Sequence, residues 1–579
     1  MQIVIPMAGA GARFVRAGYV TPKPLVEVDE KPMIAHTVAM FPGETDFTFI
    51  CNRAQLERSD FQLAETIRQI CPTGRIVSLE PHKKGPIWSV WQSRDHLSQS
   101  EPVVVNYCDF FALWDWGHFK RFVTDTQCDG AVAAYRGFHP HHLGPNRYAY
   151  IKESNGWLTD ISEKVPYTAH PMEEYASSGT YYFRSGARCL EAMGAILARG
   201  ESVNGEFYVS TAYKALVERS FSVAVYELEH FLQWGTPEDV EAYRTWSDAF
   251  RRLVDQPRSR ARHTGAVLIP AAGAGARYSR QGYMTPKPWI PVSGRPMLLQ
   301  AALDLPGAPV TRIVVRADAP IPDPTLGELE EALDGFSVVR VDGPTDGEAT
   351  TCRLGLDGLD RAAPLTIGAC DDGVIYDSKA LEDLLGPSGP DVVVWITRGH
   401  PYARLFPDMF GWVDSDPQGR VLGVRVKVAP KDPATDPLII GTFTFRRAGD
   451  FERCYDRLVG RRSRVNGEYS VDSVIEDVLA LGLSCQIFPV HSYLGWGTPE
   501  ELKTFRYWQS CFHRWSSHPY HLFKDSRVPS DAAEDLARSY ETPAHPVGAA
   551  PARPVRETSW VVPISANSAQ MYPPRPVST

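Results

Sequence analysis

The sequence predicts an α/β protein that consists of two tandem copies of one domain and a C-terminal tail. Three observations support this prediction: a long internal repeat, an alternation of short apolar runs with amphipathic segments, and a proline-rich end. At 579 residues the chain is also too long for one ordinary core. Strands that alternate with helices form parallel units, so each copy is expected to contain a mixed, mostly parallel sheet.

The repeat begins with two long matching segments. Residues 3–33 read IVIPMAGAGARFVRAGYVTPKPLVEVDEKPM, and residues 267–297 read VLIPAAGAGARYSRQGYMTPKPWIPVSGRPM. Later matches keep the same order at offsets of 262–264 residues. They pair Cys108-Asp109 with Cys370-Asp371, Asn204-Gly205-Glu206 with Asn466-Gly467-Glu468, and Trp234-Gly235-Thr236-Pro237-Glu238 with Trp496-Gly497-Thr498-Pro499-Glu500. Such a series indicates duplication of a whole domain.

The domain bounds follow from this repeat. We expect one domain at 1–255 and a second at 265–515, joined by a solvated basic linker at 256–264. The remaining residues, 516–579, are expected to form a disordered tail. Eight prolines and little apolar periodicity in 542–579 support this expectation.

Composition excludes several classes of protein. A formal net charge of −9 gives no electrostatic basis for nucleic-acid binding. No apolar run reaches the roughly 18 residues of a membrane span. Ten dispersed cysteines without a Cys-x-x-Cys pair suit reduced thiols in a cytoplasm. The chain opens on an apolar segment without a basic leader, so no secretory signal is expected.

Two features at the start of each copy are typical of phosphate binding. A glycine-rich loop follows a predicted strand, where backbone N–H groups can approach an anion and an arginine adds charged donors. A lysine between two prolines follows, and the restricted backbone orients its side chain. A tight turn and a surface lysine are the alternatives, which the repetition disfavours. The predicted nucleotide-binding residues are Gly9, Ala10, Gly11, Ala12, Gly273, Ala274, Gly275 and Ala276, and the predicted catalytic residues are Arg13, Lys23, Arg277 and Lys287.

Asp109 and Asp371 each follow an apolar run that predicts a buried strand. Ligands of α/β sheets bind at the carboxyl ends of strands, and Mg²⁺ prefers oxygen ligands. A helix N-cap is the alternative role for one such aspartate alone. Their recurrence in a phosphate-binding context favours a metal site.

These motifs resemble those of the sugar-nucleotide pyrophosphorylase (nucleotidyltransferase) superfamily, over roughly 1–245 and 265–507. The resemblance implies a GT-A-like, Rossmann-type fold in each copy, and it implies Mg²⁺ on Asp109 and Asp371. The implied reaction transfers NMP from an NTP to a phosphorylated acceptor such as a sugar 1-phosphate and releases pyrophosphate. Polysaccharide or related cell-surface or secondary-metabolite biosynthesis would use such a product. Some relatives are cytidylyltransferases, so a non-sugar acceptor stays an alternative.

The resemblance also suggests acceptor-binding residues: Lys164, Glu163, Gly179, Glu206, Lys427, Gly441 and Glu468. The chain departs from the family pattern at two places. Val426 replaces the glutamate of the second Glu-Lys pair, and Gln233 and Gly495 replace a second metal-binding aspartate before Gly-Thr. Either one carboxylate suffices for the metal, or Glu206 and Glu468 substitute.

The two copies differ on the base side as well. Gly347–Thr351 resembles the family's base-side segment better than Gly85–Ser89 does. The copies have therefore diverged in substrate, or one is catalytic and the other regulatory. A GT-A glycosyltransferase is a further alternative, which the lack of an Asp-x-Asp motif at 106–109 disfavours. A nucleotide-sensing protein without turnover is another, and the intact Arg, Lys and Asp disfavour it.

A few remaining motifs have two interpretations each. The histidines of His139-Pro140-His141-His142 are expected in a loop near the acceptor rather than at a zinc site. Aromatic side chains at Trp88, Trp91, Trp114, Trp116 and Tyr107 either stack on a base or belong to the core. The expected partners are an NTP and a phosphorylated small molecule, with neither nucleic acid nor membrane, and a homo-oligomer is left open.

Overall fold

A computed structural model describes residues 1–145, 148–256 and 258–541. We call residues 1–255 the first half and residues 265–541 the second half. The strands of the first half are β1 (Gln2–Met7), β2 (Glu27–Val28), β3 (Lys31–Pro32), β4 (Phe47–Asn52), β5 (Arg75–Leu79), β6 (Val103–Asn106), β7 (Phe110–Leu113), β8 (Gly130–Tyr135), β9 (Ala149–Ser154), β10 (Trp157–Glu163), β11 (Tyr175–Phe183), β12 (Val223–Glu227) and β13 (His230–Gln233).

Nine strands of the described first half form one sheet in the order β5-β4-β1-β6-β11-β8-β12-β10-β9. β1 is parallel to β4 and β6, whereas β11 is antiparallel to β6 and β8. Valines of β6 are fully buried, as expected for a central strand covered on both faces. The carboxyl ends of β1 and β6 therefore lie side by side at one edge of the sheet.

Helices cover this sheet. They are α1 (Ala12–Arg16), α2 (Met33–Ala39), α3 (Arg53–Leu56), α4 (Leu63–Ile70), α5 (Pro86–Gln92), α6 (Trp116–Thr126), α7 (Gly186–Arg199), α8 (Val209–Glu218) and α9 (Pro237–Asp255). α9 begins at a capping box in which Thr236 and Asp239 exchange hydrogen bonds between side chain and backbone. This box fixes the start of α9 beside the strand end at Asp109.

The second half repeats the strand order of the first. Its strands are β14 (Ala266–Ala271), β15 (Pro291–Val292), β16 (Arg295–Pro296), β17 (Val310–Arg316), β18 (Ser337–Val341), β19 (Leu365–Ile367), β20 (Asp372–Ile375), β21 (Val392–Thr397), β22 (Gly411–Ser415), β23 (Val421–Val426), β24 (Leu438–Phe445), β25 (Cys485–Pro489) and β26 (Ser492–Gly495). The main path runs β18-β17-β14-β19-β24-β21-β25, and β22 joins β23 to β24. This architecture confirms the predicted α/β class.

Helices of the second half follow the same plan up to residue 514, with one addition at the C-terminal end. They are α10 (Ala276–Arg280), α11 (Met297–Ala302), α12 (Asp323–Ala332), α13 (Glu348–Gly355), α14 (Ser378–Leu384), α15 (Pro401–Leu405), α16 (Ala448–Gly460), α17 (Val471–Ala480), α18 (Pro499–Arg514) and α19 (Ser530–Glu541). Among the described residues, none of these helices or those of the first half is both long and apolar enough to cross a bilayer.

The two halves pack against each other through corresponding elements. α9 contacts α15 and α18 of the second half, and α18 contacts the turn Pro140–Leu143 of the first. His230 shares a 3.0 Å hydrogen bond with Ser510, and the Tyr507 hydroxyl donates to the carbonyl of Phe231. One apolar core therefore continues from the first half into the second.

The solvated linker expected at 256–264 is wrong for the residues that the structure describes there. Arg258 pairs with the buried Asp304 at 2.9 Å, and the Arg260 guanidinium donates to the carbonyl of Leu305 at 2.7 Å. Ala261 is fully buried. The arginines that predicted a solvated, basic joint instead bind buried acceptors of the second half.

The disorder expected from residue 516 onward is also wrong for the described residues 516–541. The segment 516–541 folds back onto the second half, with Tyr520 and Leu522 almost completely buried. α19 places Ala533 and Ala537 on one buried face, which is the spacing of an amphipathic helix. The proline-rich part of the predicted tail, residues 542–579, lies outside the described residues.

Candidate active clefts

The glycine-rich loop of the first half forms one wall of a cleft of about 500 Å³. Gly11 has a φ of 62°, a left-handed conformation that glycine adopts without strain, and α1 begins at the next residue. Gly9, Ala10, Ala12 and Arg13 also line this cleft. The structure thus places all five predicted residues of the loop together, with the Arg13 side chain exposed to solvent.

Lys23 joins three distant segments of the first half. Its Nζ donates to Asp109 Oδ2 at 2.6 Å and to the carbonyl of Gly235 at 2.9 Å. Both side chains are partly exposed in the cleft that holds Arg13. Arg13, Lys23 and Asp109 therefore converge on one space, although their chemical roles stay a prediction.

The second half contains the same lysine–aspartate pair. Lys287 donates to Asp371, and each side chain is about one-fifth exposed. Burial alone lowers the pKa of Lys287, but the adjacent Asp371 carboxylate outweighs it and raises the pKa above its ordinary value. Gly273, Ala274, Gly275, Ala276 and Arg277 form the corresponding loop, and Gly275 has a φ of 61°. Because its pKa is raised, Lys287 stays charged at neutral pH.

The predicted acceptor residues of the first half form a hydrogen-bonded group. Lys164 has a φ of 64° and donates from Nζ to the Tyr208 hydroxyl at 2.6 Å, and that hydroxyl donates to Glu206. Glu163 accepts from Ser210 at 2.6 Å, and burial raises its pKa. The sequence analysis did not single out Tyr208, which lines the cleft together with Glu206.

Gly179 and Gly441 have a packing role in the structure. Gly179 has a φ of 102°, and a Cβ there would lie 2.9 Å from the Tyr107 ring. A Cβ on Gly441, with a φ of 74°, would lie 3.2 Å from the Ala369 side chain. Both glycines therefore let a neighbouring strand end approach closely. Their role in acceptor binding stays a prediction.

Near the lysine predicted to bind the acceptor, the second half carries its carboxylate on a different element from the first half. Val426 corresponds to Glu163 at an offset of 263, and Asp472 corresponds to Ser210 at an offset of 262. Burial raises the pKa of Asp472 to about 6. Lys427, with a φ of 56°, keeps the backbone conformation of its counterpart Lys164. The carboxylate is thus carried by α17 instead of by the strand that precedes the lysine.

A glycine makes room for this moved carboxylate. Gly411 pairs with Val426, as Ala149 pairs with Glu163 in the first half. A Cβ on Gly411 would lie 2.3 Å from Asp472 Oδ2. The alanine of the first half therefore could not accompany the aspartate of the second without a shift.

The base-side segments are held by the Asn-Gly-Glu segments in both halves. Ile87 N–H donates to the Phe207 carbonyl, and Ala349 N–H donates to the Tyr469 carbonyl, each at 3.0 Å. The Cβ of Glu468 packs against Gly347. Glu348 stands where the first half has Pro86, and burial, together with Asp472 and Asp371, raises its pKa to about 8. Glu348 is therefore largely neutral at pH 7.

In each half, two carboxylates lie close to the glycine of the Gly-Thr-Pro segment. In the first half, the position of a Cβ on Gly235 lies 3.6 Å from both Asp109 Oδ2 and Asp239 Oδ2. In the second half, the same position on Gly497 lies 3.1 Å from Asp371 Oδ2 and 3.3 Å from Glu501 Oε2. Asp239 and Glu501 were not predicted, because both lie on helices beyond the motif.

The donor set of these carboxylates suits Mg²⁺. Glu501 Oε1 is buried and has no hydrogen-bond partner among the described residues, and the Asp371 side chain is about one-fifth exposed. Hard cations take oxygen ligands and complete their shell with water and phosphate. The described residues contain no group of three or more His, Cys, Asp and Glu placed for a metal. A site here would therefore use one or two carboxylates.

The histidine turn lies at the boundary between the halves. His139 packs against Tyr507 of the second half, and His141 and His142 pack against Tyr148. Burial lowers the pKa values of all three histidines. The turn contributes to packing between the halves, and only His141 borders a cavity of about 280 Å³ there.

The other residues with two interpretations also have a place. Trp114 and Trp116 pack with Phe41 in the core, Trp91 lies against Gly194, and Tyr107 lines the cleft. The Lys84 ammonium lies 3.9 Å from the Trp88 ring. All ten cysteines are free, and burial raises the pKa of Cys108 to about 12. Such a thiol is a poor nucleophile at neutral pH.

Comparisons with known proteins find similar solved structures and a matching family model. Solved structures similar to this chain include a nucleoside-diphosphate-sugar pyrophosphorylase from Vibrio cholerae RC9, at 21% identity over 42% of this chain and 99% of that one, with a TM-score of 0.34. An inositol-1-phosphate CTP transferase from T. maritima is 14% identical over 42% of this chain and 95% of that one, with a TM-score of 0.33. A search of curated proteins finds no match. The family model described as nucleotidyl transferase matches residues 3–210 of this chain.

Proposed function

We propose that the protein transfers NMP from an NTP to a phosphorylated small molecule and releases pyrophosphate. The observation that carries this proposal is the convergence of the Arg13 loop, Lys23 and Asp109 on one cleft, in the part of the chain that the nucleotidyl transferase family model matches. The Lys287–Asp371 pair supports extending the reaction to the second half. A sugar 1-phosphate is the acceptor class that we favour.

The reaction needs no covalent intermediate on the protein. A phosphate oxygen of the acceptor attacks the α-phosphorus of the NTP, a new P–O–P bond forms, and the bond to pyrophosphate breaks with its electrons. Arg13 and the N–H groups of Gly9–Ala12 bind the leaving pyrophosphate. Lys23 neutralises the α-phosphate and the incoming phosphate. The protein thus acts by positioning and by neutralising charge.

A divalent cation, which we propose to be Mg²⁺, would be held by Asp109 in the first half and by Asp371 in the second. Bound there, it would reduce the negative charge on phosphate oxygens. Lys23 and Lys287 keep these carboxylates oriented toward the cleft through their ion pairs. Each lysine would also bring its positive charge close to the α-phosphate of the NTP.

Acceptor binding uses different residues in the two halves. In the first half, Lys164 and Glu163 would bind the acceptor, with Tyr208 and Glu206 holding the lysine in place. In the second half, Lys427 and Asp472 would do so. This difference favours different acceptors for the two halves over two identical enzymes. A regulatory second half remains the alternative that the experiment below separates.

Pyrophosphate release tests the proposal. The full chain is assayed with Mg²⁺, each of the four NTPs and a panel of hexose 1-phosphates and non-sugar phosphomonoesters. Lys23→Ala and Lys287→Ala should each reduce release from their own half by about 100- to 1,000-fold, because each removes a charge that acts on the transition state. Lys214→Ala, which changes an exposed lysine on α8, is the matched control.

Different outcomes separate the alternatives. Loss of all release in Lys23→Ala, with none lost in Lys287→Ala, would make the second half regulatory. Release of a nucleoside diphosphate from a nucleotide sugar, without pyrophosphate, would support a glycosyltransferase instead. If the double variant released pyrophosphate as fast as the wild type, the role of both lysines would be wrong.

A further inference from the structure

The carboxylate of Glu501 has an unusual environment in the second half. The residue is only 5% exposed, and its Oε1 has no hydrogen-bond partner among the described residues. Its other oxygen, Oε2, shares the space over Gly497 with Asp371 Oδ2. Thr498 hydrogen-bonds to the carboxylate through its side chain and backbone. Oε1 is nevertheless left without a donor, and a buried carboxylate oxygen in that state is costly unless a cation or a proton compensates it.

Gly495 creates the room that Glu501 occupies. A Cβ on Gly495 would lie only 2.7 Å from Glu501 Oε1, so any larger residue there would displace the carboxylate. Position 495 pairs with Asp372 at the start of β20, directly after Asp371. The Glu501 carboxylate therefore extends from α18 into the space that a side chain at position 495 would fill, next to the start of β20.

The first half fills the corresponding space with hydrogen-bond donors. Gln233 stands at the position of Gly495, and its Nε2 donates to Asp239 Oδ2 at 2.7 Å. The backbone and hydroxyl of Thr236 donate to the same oxygen at 2.8 and 2.7 Å. Asp239 Oδ2 thus accepts from three neutral donors, whereas the counterpart Glu501 is one methylene longer and leaves its Oε1 without a donor among the described residues.

The charges of the second half are also unbalanced at this point. Lys287 is the ammonium that pairs with Asp371, and its charge also acts on Glu501. One lysine thus faces two carboxylates in a largely buried place. The Asp371 side chain is about one-fifth exposed, so solvent reaches the carboxylate pair from this side.

We propose that Asp371 and Glu501 together bind a divalent cation in the absence of nucleotide, and that the first half has no equivalent site. Two carboxylates and several waters are a common ligand set for Mg²⁺ and Mn²⁺. In the first half, Asp239 already accepts several hydrogen bonds, so Asp109 is the carboxylate of its pair that stays available. That half would bind its cation only together with the triphosphate. The two halves would then differ in when the metal enters.

Manganese binding to the nucleotide-free full chain tests this proposal without any assay of activity. Mn²⁺ alone is titrated, and the free ion is followed by electron paramagnetic resonance. The wild type should bind one Mn²⁺ more tightly than any other, and Glu501→Gln should weaken that binding by about 10- to 100-fold. Asp371→Asn should have the same effect, whereas Asp109→Asn and Asp239→Asn should leave it unchanged.

A second variant protects the test against misfolding. The pair of changes Gly495→Gln with Glu501→Asp rebuilds the arrangement of the first half, which has the same surrounding fold. It should also lose the tight Mn²⁺ ion. The proposal is overturned if the nucleotide-free wild type binds no Mn²⁺, if both Glu501 variants bind it like the wild type, or if Asp109→Asn alone removes it. None of these results depends on pyrophosphate release, so the proposed function can fail or stand separately.

Discussion

The two halves have the same strand order and the same lysine–aspartate pair, yet they place their other carboxylates on different elements. On the acceptor side, the first half uses Glu163 from a strand and the second uses Asp472 from a helix. Over the Gly-Thr-Pro segment, the first half saturates Asp239, and the second extends Glu501 into a space cleared by Gly495. A carboxylate can thus be retained in space while its position in the sequence changes.

Asp304 is a feature of the second half alone, since the first half has Met40 at this position. Its carboxylate is 1% exposed and pairs with Arg258 and Arg527 at 2.9 and 3.2 Å. Asp304→Ala would leave two buried guanidinium groups unpaired, so we expect a loss of about 3–5 kcal/mol in the free energy of unfolding. Urea unfolding followed by circular dichroism would measure it.

The control for this prediction is an exposed ion pair of the same half. Asp334→Ala removes the partner of Arg262, and both side chains are more than half exposed. We expect a change of less than about 1 kcal/mol. Equal effects of the two substitutions would show that the buried pair does not fasten the linker and the C-terminal segment to the second half.

Gly411→Ala tests the moved carboxylate of the acceptor side. The new methyl group would collide with Asp472, so we expect a loss of about 1–3 kcal/mol in stability, as for other overpacked sites. In a chain that also carries Asp472→Ser, the arrangement matches Ala149 and Ser210 of the first half, and most of the loss should disappear. A double-mutant cycle in urea measures this coupling. Purely additive costs would contradict the prediction.

The smallest expected effect is a difference in pH dependence. The pKa of Glu348 is raised from 4.5 to about 8, so its stabilising contribution is fully present below pH 4.5 and is lost as the pH rises through 8. Glu348→Gln keeps the neutral form. Relative to this variant, the wild type should lose thermal stability between pH 5 and 8.

Thermal unfolding of both proteins across this range measures the difference directly. The neighbouring carboxylates Asp371 and Asp472 raise the pKa of Glu348, while Lys287 and Lys427 lower it. Since these four groups are present in both proteins, the comparison isolates Glu348. Parallel melting curves at every pH would contradict the raised pKa. The first half has no titrating side chain at the corresponding Pro86.

Sequence patterns predict the part of each cleft that follows from strand ends. β1 and β6 are parallel neighbours, so a loop after one and an aspartate after the other must lie close together. For this reason, the sequence predicts that Arg13, Lys23 and Asp109 lie close together. Their convergence depends on connectivity and on local motifs, both of which the sequence contains.

The remaining features depend on space that no motif records. Nothing near Gly411 or Gly495 in the sequence indicates that an oxygen of Asp472 or Glu501 fills the missing side-chain volume. Nothing in the sequence indicates that Arg258 pairs with the buried Asp304, so a solvent-exposed charge is expected at this position. The helix Ser530–Glu541 was missed because the prolines that follow it dominated the composition of the segment.

The helix α9 connects the candidate site of the first half with the strands of the second half. This helix begins just after Gly235, whose carbonyl accepts from Lys23, and it contacts β20 and β26 of the second half. β20 follows Asp371, and β26 ends at Gly495. One helix of the first half therefore adjoins both the backbone that holds Lys23 and the two second-half strands that border Asp371 and Gly495.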